Sequence, residues 1–181
     1  MNKNEIRNLI LEKRKKIEEK KIIERGNRVK ESFFSLKEFK KANTIMSFVS
    51  FGKEICTQNI IKEALKLKKV AVPKIIDSVI APCLIKNFGE LKKGKYGILE
   101  PSETNKVSLK DIDIVLVPGI VFDKRGYRIG YGKGYYDVFL NGSDVLKIGL
   151  CMDFQIIDKI PNDEWDVKMD MVISEKRIIR V

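Results

Sequence analysis

Apolar positions along this chain switch between a helical and a strand-like spacing. Over residues 2–34 they fall at Ile6, Leu9, Ile10, Ile17, Ile22, Ile23, Val29 and Phe33. This three-to-four spacing predicts two amphipathic helices, broken near Gly26, with a polar face dense in lysine and arginine. Residues 44–51, TIMSFVSF, are rich in β-branched and aromatic side chains and predict a strand. Residues 57–67 predict a helix with Thr57 as its N-cap. Two further strands are predicted at 69–76 and 79–86, with Asp77-Ser78 as the turn, so strand, helix and strand make a βαβ unit. Ile114, Val115, Leu116 and Val117 form an unbroken apolar run, the pattern of a strand covered on both faces. Ile120, Val121 and Phe122 extend it past a kink at Pro118-Gly119. Helical spacing returns from Tyr135 to Leu140, and buried strands are predicted at 146–152 and 171–174.

Composition narrows the partners. With 181 residues, 44% of them hydrophobic, the chain can bury one sizeable core, so a single domain is expected. Its 36 Lys+Arg against 25 Asp+Glu give a formal charge of +11 and favour an anionic partner, although lysine is abundant throughout and part of the excess is general composition. Aromatic content is only 8% and no aromatic-basic RNA-binding signature appears. Cys56, Cys83 and Cys151 are odd in number and widely spaced, which argues against a disulfide framework or a zinc site. The N-terminus is charged from Lys3 onward, and no run approaches the ~20 apolar residues that span a bilayer, so a soluble, cytoplasmic protein is expected. Histidine is absent, which excludes Ser-His and Cys-His catalysis and histidine-ligated metals.

The densest candidate chemistry lies in residues 111–142. There a buried strand leads to a loop offering Arg128, Gly130, Gly132, Lys133 and Gly134, and then to a helix start. Alternating glycines leave backbone N–H groups open to an anion, two cations stand beside them, and a helix N-terminus favours phosphate. The loop is neither a Walker A sequence nor a G-x-G-x-x-G fingerprint, and a glycine-rich turn of purely steric origin has the same spacing.

The longer string VPGIVFDKRGYRIGYGKGYYD resembles the signature region of the 5-formyltetrahydrofolate cyclo-ligase (methenyltetrahydrofolate synthetase) family. Pro118, Phe122, Asp123, Gly126, Arg128, Gly130, Gly132, Gly134, Tyr135, Tyr136 and Asp137 all fall on that pattern. The resemblance implies a three-layer α/β/α domain over residues 1–181, with a Rossmann-like, twisted, mostly parallel sheet and a C-terminal strand that can run antiparallel. It implies ATP-dependent closure of 5-formyltetrahydrofolate to 5,10-methenyltetrahydrofolate with ATP and magnesium (Mg2+) as cofactors, by a monomer that acts on small molecules and on neither nucleic acid nor membrane. The positive charge would suit both ATP and the glutamate tail of the folate, polyglutamylated or not.

Carried over position by position, the resemblance assigns ATP binding to Lys3 and Arg7, which match a Lys-x-x-x-Arg near the family's N-terminus. It extends that role through Arg128, Ile129, Gly130, Tyr131, Gly132, Lys133, Gly134, Tyr135 and Tyr136, with Arg128 and Lys133 as the catalytic cations. Glu54, in a Glu-x-x-Thr, is assigned to the folate, together with Val49, Phe51, Tyr96 and Tyr135. Asp137 and Asp170 are assigned to Mg2+. Ordinary explanations stand beside these: a solvated helix face for Lys3 and Arg7, a cap or ion pair for each aspartate. Position 131 departs from the pattern, being Tyr where relatives carry Arg, Met or Gly. Two other readings stay open, a basic nucleic-acid-binding module and a phosphosugar isomerase or CoA-transferase relative that consumes no ATP.

Overall fold

The computed structural model describes residues 1–94 and 97–181. Its N-terminal part is α1 (Lys3–Lys15), α2 (Glu19–Ser35) and α3 (Lys37–Lys41). Asn2 and Glu5 close a capping box that starts α1. The break between the first two helices falls at residues 16–18, not at Gly26, which sits buried in the middle of α2. A Cβ at position 26 would stand 2.8 Å from the Cys56 carbonyl oxygen and 2.9 Å from its Cβ. Glycine is needed there because a helix and a loop touch backbone to side, which local spacing cannot reveal.

Strand β1 (Thr44–Ser47) leads through α4 (Gln58–Ala64) to β2 (Lys69–Ile76), parallel to β1, and β2 turns into the antiparallel β3 (Val79–Ile85), giving the expected βαβ unit and hairpin. β1 is shorter than 44–51 because Thr57 ties the following residues into a loop. Its hydroxyl donates to the Phe48 carbonyl at 2.7 Å and accepts from Ser50 N at 2.9 Å, so it stands at the N-cap position of α4 without capping it. A ribbon of β4 (Leu91–Lys93) and β5 (Leu99–Pro101) follows.

Next come β6 (Ile114–Val117), β7 (Val121–Asp123), β8 (Arg128–Ile129), α5 (Tyr135–Leu140), β9 (Leu146–Leu150), β10 (Ile156–Ile157), β11 (Met171–Ile173) and β12 (Ile178–Arg180). The main sheet has the order β12-β11-β9-β6-β1-β2-β3, with parallel pairing from β11 to β2 and antiparallel edges. The strand at 171–174 is thus parallel, and the antiparallel C-terminal strand is the additional β12. Residues 120–122 do not prolong β6. They enter a separate three-stranded sheet, β10-β7-β8, because the chain turns at Pro118-Gly119 and lays the Phe122 ring against Gly149 of β9, where an added Cβ would be 2.3 Å away.

Both faces of the main sheet are covered, which accounts for the unbroken apolar run of β6. Ile45, Val70, Ile114, Leu116 and Ile173 pack under α2, α3 and α4, while Met46, Ala71, Val115, Val117 and Val172 pack with Phe122 and Leu140 on the other side. That second layer is thin, consisting of the six-residue α5 and the small sheet. α1 covers the small sheet, with Ile6 and Ile10 against Ile120, Val121 and Ile129. Strand order reverses between β1 and β6, so the crevice beyond their carboxyl ends is where a sheet of this kind takes ligands. Among the described residues, no helix is long and apolar enough to cross a membrane.

Candidate active site at the glycine loop

Beyond the carboxyl ends of β1, β6 and β9 lies a narrow crevice lined by Phe48, Glu54, Ile55, Pro118, Gly119, Leu150 and Gln155, too tight to admit a water. Gln155 sets its floor. Its Nε2 donates to the carbonyls of Ile120 at 2.9 Å and Gly119 at 3.3 Å, and its Oε1 accepts from Met152 N at 2.9 Å. A roomier groove of about 540 Å³, lined by Ala42, Asn43, Leu65, Leu67, Lys68 and Lys69, lies at the opposite ends of β1 and β2, away from the glycine loop.

The loop is anchored by Ile129, whose side chain is 2% exposed in the small core under α1, leaving only its backbone for a ligand. Gly132 and Gly134 take φ of +94° and +66°, which explains two of the three alternating glycines. Arg7 reaches the loop from α1: its Nε donates to the Gly130 carbonyl at 2.8 Å, and its guanidinium passes beside Gly132. Lys3, one turn earlier, is engaged elsewhere, with Nζ 2.6 Å from Asp163 Oδ2 and 2.5 Å from Asp166 Oδ2. Burial works to lower the Lys3 pKa, but these two carboxylates outweigh it and hold the pKa raised. The Lys133 ammonium stands 5.8 Å over the Tyr135 ring on the exposed rim.

Arg128 has a different partner from the phosphate expected of it. Its guanidinium is turned into the protein, 3.1 Å from Asp137 Oδ1, and donates to the Val167 carbonyl at 3.2 Å. Burial pushes its pKa down and Asp137 pushes it back up. Asp137 also accepts from Val167 N at 3.1 Å. Asp170 lies towards the other end of β9, where it accepts from Lys147 N at 2.7 Å and pairs with the Lys147 ammonium at 3.2 Å. The two aspartates share no bonding partner, and among the described residues no group of three or more His, Cys, Asp or Glu could hold a metal ion.

Among the residues that the resemblance assigns to the folate, Glu54 is half-buried and its pKa is raised by burial, against the opposing bonds it accepts from Phe51 N at 2.9 Å and from the Tyr131 hydroxyl at 2.8 Å. Phe51 stands 47% exposed beside it, whereas Val49, expected in the same wall, is 4% exposed and points into the core under the helices. Tyr136 places its hydroxyl in an enclosed position without a partner among the described residues, and burial followed by the charge of Glu54 raises its pKa strongly. Tyr135 packs its ring partly into the second-face core. Tyr96 lies outside the described residues.

The sequence pattern of the 5-formyltetrahydrofolate cyclo-ligase family matches residues 1–175. The chain belongs to this family. The solved structure of Aquifex aeolicus 5,10-methenyltetrahydrofolate synthetase superposes with a TM-score of 0.91 at 34% identity, covering 99% of this chain and 93% of that one. The synthetase from Mycoplasma pneumoniae superposes at 0.77 with 28% identity over 97% and 99% of the two chains. A 5-formyltetrahydrofolate cyclo-ligase of Escherichia coli strain K12 is 29% identical over 76% of this chain and 80% of its own.

One buried cation beside the loop was not among the residues expected from the sequence. Arg14 is 6% exposed, and its Nη2 donates to the Tyr131 hydroxyl at 2.6 Å. The signal was present: Ile6, Ile10 and Arg14 occupy one helix stripe at intervals of four, so a cation stands where a core residue belongs.

Proposed function

We propose that this cyclo-ligase family chain, working as one domain over residues 1–181, closes 5-formyltetrahydrofolate to 5,10-methenyltetrahydrofolate at the expense of ATP, releasing ADP and phosphate. The observation that carries this reading is the meeting of two unlike chemistries at one loop. Arg7 and Lys133 flank open glycine backbone suited to polyphosphate, while Glu54, an acceptor suited to the N–H groups of a pterin ring, reaches the same loop through Tyr131.

The reaction needs positioning more than a protein nucleophile. The formyl oxygen attacks the γ-phosphate and ADP departs. The second folate nitrogen then adds to the activated carbon, its proton leaves, and phosphate is expelled. Lys133 and Arg7 stabilise the charge that spreads over the transferring phosphoryl group, and Phe51 with Glu54 orients the folate. Arg128 acts through Asp137, fixing the start of α5 behind the loop. ATP would be cradled by 130–134 with Tyr135 and Tyr136 as the wall, and Lys3 would join Arg7 only by exchanging Asp163 and Asp166 for phosphate.

A magnesium ion fits here as a companion of the nucleotide, since it keeps most of its waters and needs one or two carboxylates beside the phosphates. Asp137, in the first turn of α5 after the loop, is the first proposed ligand, and Asp170 would serve as the second only by leaving Lys147, which holds it towards the other end of β9. When bound, the ion would supply charge to the leaving ADP oxygen. We place the enzyme in the cytoplasm as a monomer. The deciding experiment follows the rise of the methenyl chromophore from 5-formyltetrahydrofolate with and without Mg-ATP. An ATP-dependent rise with stoichiometric ADP is expected, and no ATP-dependent turnover would overturn the assignment.

A further inference from the structure

Arg14, Tyr131 and Glu54 form a continuous relay from α1 across the glycine loop to the folate-side acid. Arg14 Nη2 donates to the Tyr131 hydroxyl at 2.6 Å, and that hydroxyl donates onward to Glu54 Oε1 at 2.8 Å. Glu54 Oε2 accepts from Phe51 N at 2.9 Å, so both carboxylate oxygens are held in place. The Arg14 guanidinium also lies 5.7 Å from the centre of the Tyr131 ring. A buried guanidinium requires acceptors for its donors, yet Arg14 Nη1 is enclosed and has no partner among the described residues. Such an unmet donor beside a held carboxylate marks a network that a ligand or a water completes.

We infer that Arg14 and Tyr131 are positioning residues that keep the Glu54 carboxylate charged and in one orientation for the folate, tying recognition of that substrate to the conformation of the nucleotide loop. This rests on the reading of Glu54 given above. The groups facing Glu54 are Arg14 from α1, Tyr131 from the loop, Tyr136 from α5 and the Phe51 N–H of its own turn. Neighbouring Lys53 is turned away and donates to the Ile17 carbonyl at 2.8 Å. Burial, with the charge of Glu54, pushes the Tyr131 phenol up to about 12, so it stays protonated and keeps donating. Removing that hydroxyl leaves burial less opposed, and Glu54 then takes up its proton at higher pH.

The test is Tyr131→Phe, with affinity for 5-formyltetrahydrofolate measured by calorimetry without nucleotide from about pH 5 to 8. Affinity at pH 7 should fall about tenfold. The pH at which affinity is half lost should move upward, a shift that a uniform loss through the fold or the nucleotide loop would not produce, and the melting temperature should fall modestly because Arg14 Nη2 loses its acceptor. In a Glu54→Gln background the same change should cost less than about twofold, because the relay then ends on a group with no charge to hold. Arg14→Lys, which keeps the charge and loses the fork, should fall between the parent and Tyr131→Phe. An unchanged affinity and pH midpoint in Tyr131→Phe, with Glu54→Gln still weakened, overturns this inference alone. An unchanged affinity in Glu54→Gln overturns the folate assignment of Glu54 and the inference with it.

Discussion

Arg7 Nε donates to the carbonyl of Gly130 at 2.8 Å, a bond between positions 123 apart in sequence. It fixes the first helix to the loop that carries Lys133, and it puts a second cation within reach of anything the loop cradles. Arg7→Met keeps an apolar stem of similar length and removes both the bond and the charge. Because Arg7 is partly exposed, the fold should persist. The KM for ATP should rise about tenfold, near 1.4 kcal/mol, with that for the folate little changed. Equal effects on both substrates would assign Arg7 to general loop stability.

Lys133 and Arg128 should separate in kinetics, although both looked like phosphate clamps in the sequence. Lys133 stands on the exposed rim, and Lys133→Met should lower kcat by ~10² or more, about 3 kcal/mol, while melting like the parent. Arg128 is buried against Asp137, so Arg128→Met strands a carboxylate and should show mainly as lost stability, on the order of 3 kcal/mol. ATP kinetics beside thermal melts decide it. Parent kcat in Lys133→Met would return the loop to a purely structural turn.

The fold was legible where a pattern is local and closed to the reader where it depends on a distant surface. The run at 114–117 announced a doubly covered strand because both parities are apolar, and the sheet bears this out. Gly26 misled because its cause is Cys56 on another element, and Phe122 misled because Gly149, which accepts its ring, is 27 positions on. Within the site, the glycine loop was visible as a string, and the contact of Arg7 with it was reachable only through resemblance. The pairing of Arg128 with Asp137 was not visible, since two charges nine positions apart around a loop carry no periodic signal.

Gly26 gives a stability test of that lesson. Gly26→Ala should gain about 1 kcal/mol from helix propensity and lose more through overpacking, since the new methyl would press on the backbone of Cys56. The net expectation is a destabilisation of about 1–2 kcal/mol, a fall of several degrees in melting temperature. A rise would mean that the α2–Cys56 contact yields easily.

The two proposed magnesium ligands should also part company. Asp137→Asn keeps an acceptor for Val167 N but leaves the buried Arg128 facing a neutral amide, so it should cost about 2 kcal/mol of stability and raise the Mg2+ concentration needed for turnover. Asp170 is 45% exposed, and Asp170→Asn should melt within about 1 kcal/mol of the parent. Titrating Mg2+ against turnover in both folded variants is the measurement. An unshifted curve in either removes that residue from the ion.

Glu54 predicts a pH dependence of stability with a definite sign. Its folded-state pKa is raised above the ordinary 4.5 by burial, so over the interval between those values the folded protein binds more protons than the unfolded chain. Stability therefore falls as pH rises through that interval, and it levels off once Glu54 is ionised in both states. Glutamine does not titrate. Relative to the parent, Glu54→Gln should thus gain stability as pH rises above the ordinary 4.5 and reach a plateau once Glu54 is ionised in the folded state as well. Melting both proteins across that range, with the difference plotted against pH, isolates the single group. A difference independent of pH would show that the Phe51 and Tyr131 bonds fully offset burial, and a difference of opposite slope would show that they exceed it.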